Sequence, residues 1–199
     1  TVSVDGQTAA SDVNADGRVL TVADLVYLVR VIVGDASPIT KLSPYASNVD
    51  VFTKIDNGLI SVCGDNSYPI GGALLIFKYE GDKPSIPELP ASRAGMDMKY
   101  VITQSELRVL LMSYKSNLRI EPGHNELINI RSGNNCKLTL SEASFGGCNG
   151  EMMTARLKNG LIPDKYAVSQ NYPNPFNPVT AIDLSLPVTS QWQLSVFNV

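Results

Sequence analysis

Residues 71–79 read GGALLIFKY, and residues 106–114 read ELRVLLMSY. Both are short and almost continuously apolar, the pattern of a strand covered on both faces in the middle of a sheet. Working outward, VDVFTKI (49–55), LISVC (59–63), ELINIR (126–131), KLTLS (137–141) and MMTARL (152–157) are further short runs. Clusters of Gly, Asn, Asp and Pro separate them, and such spacing predicts a β-sandwich over residues 48–160. Segment 80–95, EGDKPSIPELPASRAG, carries three prolines and reads as a surface loop, because proline cannot donate to a central ladder.

The bulk composition fits that reading. Of 199 residues, 44% are hydrophobic and 18% charged, so there is enough apolar side chain for a core. The net charge of −3 and the lack of a Lys/Arg cluster argue against a nucleic-acid binder. No apolar run approaches the roughly 20 residues of a membrane span. The first residues, TVSVDGQ, lack the charged-then-apolar pattern of a signal peptide, so any such leader has been removed.

Ahead of the strands, residues 12–24 read DVNADGRVLTVAD. Calcium takes about six to eight oxygens, and a short loop supplies them from alternating acidic side chains and a backbone carbonyl. Asp12, Asn14 and Asp16 occupy the first, third and fifth places, Gly17 the sharp turn at the sixth, and Arg18 the carbonyl at the seventh. The twelfth residue is Ala23, and the acid, Asp24, comes thirteenth. Two readings stay open. Either Asp24 swings in as the closing ligand of a calcium site, or it only begins the next helix. That helix, VADLVYLVRVIVGD (22–35), carries Leu25, Leu28, Val29 and Ile32 at helical spacing and is stopped by Gly34.

The segment DVNADGRVLTVADLVYLVRVIVG resembles one repeat of a type I dockerin, the calcium-binding module of cellulosome-type assemblies. The resemblance implies calcium as cofactor, with Asp12, Asn14, Asp16 and Asp24 as ligands. IGGALLIFKYEG, LRVLLMSY, IEPGHNELINI and LTLSEASF are similar to the cohesin-like β-sandwiches that accompany such repeats. YAVSQNYPNPFNPVTAIDLSLP, with WQLSVFNV beyond it, resembles the start of the C-terminal sorting domain of type IX secretion. That family is sent across the outer membrane, which implies a cell-surface or extracellular location.

Within that third zone, Pro173, Pro175 and Pro178 interleave with Asn171, Asn174 and Asn177, which forces an extended, turn-rich connector. Ile182, Leu184 and Leu186 then alternate with polar residues, as do Trp192, Leu194 and Val196, giving two strands. The chain stops at Val199 without a terminal turn, which suggests a longer polypeptide.

Catalytic constellations are sparse. The single histidine, His124, sits in a polar turn, and no nucleophile elbow, zinc helix or phosphate loop occurs. Glu121 and Glu126 flank Pro-Gly and read as a solvated loop rather than a glycosidase pair. The aromatics Phe52, Tyr68, Phe77, Tyr79, Tyr100 and Tyr114 suit core or cross-strand positions more than a sugar platform, and Tyr45 belongs to the same set. The cysteines Cys63, Cys136 and Cys148 form no C-x-x-C pair. Cys136 and Cys148 flank a short segment and form a disulfide candidate, with Cys63 left over; three inert thiols are the alternative.

The expected architecture is therefore mostly β. It comprises an EF-hand-like, dockerin-type loop and helix (1–38), a linker (39–47), an immunoglobulin- or cohesin-like sandwich (48–160) and extra C-terminal strands (161–199). The expected function is non-enzymatic: a secreted, calcium-stabilised assembly protein whose partners are other proteins, above all copies of itself. A helix that docks on the next copy's sandwich, or C-terminal strands that add to its edge, would build a filament or surface layer. A polysaccharide-binding or scaffolding module of a degradative system is the alternative.

Overall fold

The apolar run at 71–79 lies inside strand β3 (Ile70–Gly81), and the run at 106–114 supplies β5 (Glu106–Met112). The computed structural model describes residues 4–37, 47–114, 118–133, 135–161, 166–172, 174–175, 178–182, 184–186, 191–193 and 195. The chain divides into two compact units, Thr1–Asn159 and Gly160–Val199.

The first unit begins with helices α1 (Val4–Ala10) and α2 (Val22–Ile32). Its other strands are β1 (Asn48–Asp56), β2 (Leu59–Asn66), β4 (Asp97–Ile102), β6 (Gly123–Arg131), β7 (Cys136–Gly147) and β8 (Met152–Leu161). They form one open sheet in the order β4-β5-β3-β7-β8-β1-β2-β6. The sandwich arises by curling. Leu75, Phe77, Val109 and Leu111 from one half share a single buried cluster with Val49, Val51, Val62, Ile128 and Ile130 from the other. The register between β7 and β8 includes Phe145↔Met153 and Gly146↔Met152. As expected, β3 and β5 are interior strands with neighbours on both sides. Strand β4 and helix α1 are additions to the sequence reading.

Local chemistry sets the turns. Asn57 and Gly58, both at positive φ, close the β1–β2 hairpin in the left-handed geometry that suits strand twist. Helix α2 opens on a capping box: the Thr21 hydroxyl accepts from the Asp24 N–H at 3.2 Å, and the Asp24 carboxylate accepts from the Thr21 N–H at 2.8 Å. It ends at Gly34, φ +80°, whose N–H donates to Val31 while the Asp35 N–H donates to Arg30.

The helix does not stand apart as a module awaiting another copy. It packs on β3 and β7 of its own chain. The buried face is Val22, Ala23, Val26 and Tyr27, rotated from the expected stripe; Leu28 is 39% and Ile32 73% exposed. The cause is a floor of glycines. A Cβ on Gly72 would lie 2.7 Å from Val26 Cγ2, and one on Gly146 would lie 2.9 Å from the Ala23 Cα.

The proposed Cys136–Cys148 bridge is not formed, and all three cysteines are free. The residues flanked by the pair are a single strand rather than a hairpin. The twelve-residue β7 spans on the order of 35–40 Å at about 3.3 Å per residue. A disulfide needs Cα atoms within about 7 Å.

In the second unit, β9 (Ala167–Val168) pairs antiparallel with β10 (Leu184–Ser185), and Tyr172 exchanges 2.9 Å backbone bonds with Ala181. Trp192 is exposed and lies outside any strand. Leu194 and Val196 lie outside the described residues, as does the expected 39–47 linker apart from Ser47.

Candidate functional site

The acidic loop folds by lending its side-chain oxygens to its own backbone. Asp12 accepts from the Asp16 and Gly17 N–H groups, each at 3.0 Å. Asn14 Oδ1 also accepts from the Asp16 N–H at 3.1 Å, and Asp16 Oδ1 accepts from the Arg18 N–H at 2.8 Å. Ala15 and Gly17, at φ 55° and 88°, make the tight reversals. This ladder gathers Asp12, Asn14 and Asp16 about one small volume, each carboxylate retaining acceptor capacity beyond the bonds it makes.

Asp24 is placed differently from the closing ligand that the sequence allowed. It is 3% exposed. Its Oδ1 accepts from the Val13 N–H at 2.9 Å and the Asn14 N–H at 3.4 Å. Its Oδ2 accepts from the Thr21 N–H at 2.8 Å and the Thr21 hydroxyl at 2.7 Å. A carboxylate has about four lone-pair sites, so protein donors fill this one. Of the two readings, the structure gives Asp24 the helix-capping role, with a second task of clamping the loop's entry. Among the described residues, no group of three or more His, Cys, Asp or Glu side chains is placed to hold a metal. With Asp24 occupied, a calcium ion at this loop would have Asp12, Asn14, Asp16 and the Arg18 carbonyl as its protein oxygens, fewer than the roughly six to eight it takes.

Asn14 has a part that the sequence did not reveal. It is fully buried, and its Nδ2 donates to the Asp16 carboxylate at 3.1 Å and to the Gly150 carbonyl at 2.7 Å. The loop is thus tied to the β7–β8 turn. Arg30 makes a parallel tie from the end of α2, donating to the Cys148 carbonyl and, at 2.8 Å, to Asn149 Oδ1. The legible signals were the paired glycines at 71–72 and 146–147, which mark where the helix approaches.

Between the loop, α2 and the outer face of β3 and β5 lies an apolar groove of about 440 Å³. Val13, Leu20, Leu25, Leu28, Leu74 and Leu110 line it. Leu20 is 82% exposed and held at φ 58°, an unusual conformation for a branched residue. The expected stripe residues Leu25 and Leu28 thus face a groove instead of a core.

The other candidates are structural. Glu121 pairs with Arg119 at 2.8 Å, and Glu126 lies on β6 opposite Cys63, so the two carboxylates share no site. Phe52, Phe77 and Tyr79 are buried, whereas the half-exposed Tyr100 stands on β4 and Tyr68 and Tyr114 in the loops after β2 and β5. Burial pushes the Cys63 thiol up to about 11, against an opposing pull from Lys54. Cys148 is likewise pushed up to about 11 by burial, with Arg119 and Arg30 opposing, and burial also raises Cys136. A raised thiol holds less thiolate at neutral pH, which lowers its reactivity. Among the described residues, no helix is long and apolar enough to cross a membrane.

No family model and no curated protein matches the sequence. Among solved structures, the fold is similar to a non-cellulosomal cohesin from Archaeoglobus fulgidus, 16% identical, covering 55% of this chain and 86% of that one, TM-score 0.45. It is similar to a type I cohesin solved as a cohesin–dockerin complex from Clostridium thermocellum, 16% identical over 60% and 94%, TM-score 0.46. The seventh ScaB type I cohesin from Pseudobacteroides cellulosolvens is 10% identical over 57% and 89%, TM-score 0.45.

Proposed function

We propose that this chain is a secreted or cell-surface, non-enzymatic assembly module that binds other proteins, copies of itself among them. The observation that carries the reading is the apolar groove beside α2. Its lining is mostly aliphatic, with Ser11, Thr21 and Asp24 as the polar members, and Leu20, Leu28, Ile32 and Val33 stand exposed on the loop and helix around it. Contiguous apolar surface of this kind on a folded unit marks a docking site.

The mode of assembly differs from a simple exchange of helices. Val22, Ala23, Val26 and Tyr27 are committed to the chain's own glycine floor, so the helix contributes its opposite face. Calcium at Asp12, Asn14, Asp16 and the Arg18 carbonyl would hold the loop wall of the groove in place. The resemblance of residues 166–187 to a type IX sorting domain supports the extracellular location.

Sedimentation velocity of the 199-residue chain over a wide concentration range tests the reading. Mass should rise with concentration, and Leu28→Arg should suppress the rise while leaving the fold intact, because Leu28 is partly exposed. A monomer at every concentration, with calcium or with chelator, would remove the support for self-association.

A further inference from the structure

On the outer face of β1, β2 and β6, His124 sits between a cation and an anion. Its Nδ1 lies 2.8 Å from Asp65 Oδ1, and its Nε2 lies 3.3 Å from Lys54 Nζ. The register builds this contact, since Asp65 pairs directly with His124 across the β2–β6 ladder. An ammonium only donates, so Nε2 is the acceptor and Nδ1 carries the proton given to Asp65. Both contacts are hydrogen bonds only when the ring is neutral with its hydrogen on Nδ1. The ring also stacks on Phe52, centroids 5.4 Å apart at 27°, while Lys54 Nζ stands 5.9 Å from the same Phe52 centroid. Between them they help to cover an outward-facing aromatic that is only 3% exposed.

We propose that His124 is a proton-operated latch: neutral, it holds Lys54 over Phe52; protonated, it keeps Asp65 and expels Lys54, uncovering the Phe52 ring. The reason is a donor conflict. A second proton on Nε2 puts two cationic donors face to face with no acceptor between them, while the Asp65 contact gains charge assistance. Of the surrounding carboxylates, those of Asp50 and Glu121 are held by other cations. Asp50, across from Asp65 on β1, is engaged by Lys158 at 3.4 Å. Glu126, on the ring's own strand, lies opposite Cys63, and Arg93 donates to the Glu126 carbonyl at 2.9 Å and to Asn125 Oδ1. Glu121, just before β6, is held by Arg119. The latch is independent of the groove and of any calcium.

Proton–carbon NMR of the full chain, followed through the His124 titration, tests this. The Lys54 Cε–Hε resonances should shift with the His124 midpoint, and the Phe52 ring signals should move in step. His124→Gln, whose amide can accept from Lys54 and donate to Asp65 without titrating, should abolish the Lys54 shift. Lys54 resonances that stay flat while His124 titrates, or a Lys54 transition that persists in His124→Gln, would overturn the proposal.

Discussion

The Asn14 carboxamide donates a 2.7 Å hydrogen bond to the Gly150 carbonyl across 136 positions of sequence. Both Asn14 and Gly150 are shut away from water. Asn14→Ala leaves the Gly150 carbonyl without that partner in a closed space, at a cost of about 1–3 kcal/mol. Urea unfolding should show a lower midpoint at unchanged slope. A midpoint equal to the parent's would mean that the loop is not anchored to the β7–β8 turn.

Asp24 and Asp16 should separate by their response to calcium. Asp24 clamps Val13, Asn14 and Thr21, so Asp24→Ala should lower the melting temperature with calcium and with chelator alike. Asp16→Ala should lower the melting temperature in chelator through the lost bonds to Arg18 and Asn14, and should in addition remove the calcium-dependent increment, which is about 2.7 kcal/mol at a hundredfold excess over the dissociation constant. If chelator leaves the parent's melt unchanged, the calcium assignment fails.

The legible part of this molecule was its strands. Periodicity and turn residues marked β1 to β3 and β5 to β8, because each joins an apolar run to Gly, Asn or Asp punctuation. Strand β4 escaped because DMKYVI is an edge strand whose half-exposed pattern lacks a clean apolar run. The helix face was misjudged because α2 is apolar on two sides, and periodicity cannot tell which side meets a sheet. The glycine pairs could have decided it: Gly72 and Gly146 are register partners, and two adjoining strands without side chains make a natural seat. Asp24 was ambiguous for a different reason. A closing ligand and a capping-box acid demand the same residue at nearly the same place, and only the bonds to Val13 and Thr21 distinguish them.

That seat yields a coupled prediction. Gly72→Ala puts a methyl 2.7 Å from Val26 Cγ2, and overpacking of this kind costs about 1–3 kcal/mol. Val26→Ala alone opens a cavity and also destabilises. The double substitution should cost less than the sum of the two, since the new methyl occupies space that the valine vacates. Additive losses in a double-mutant cycle would show that α2 does not rest on β3.

One buried and one half-buried thiol predict an alkaline weakness. Cys63 and Cys148 stand near 11 in the fold against an ordinary value of 9.0, so the folded state holds their protons more tightly than the unfolded chain does. Their contribution is fully present below pH 9, then lost between about 9 and 11 as the unfolded thiols ionise first. Other groups titrate in the same range, so the comparison is between the parent and the Cys63→Ala, Cys148→Ala double variant. The parent's stability should fall more steeply with pH across that window, although the variant starts lower because burial is lost. Thiol reagents should also modify the parent slowly at pH 8 and rapidly in denaturant. Parallel pH slopes for the two proteins, together with fast labelling of the native chain, would show that these thiols are not sealed in the fold.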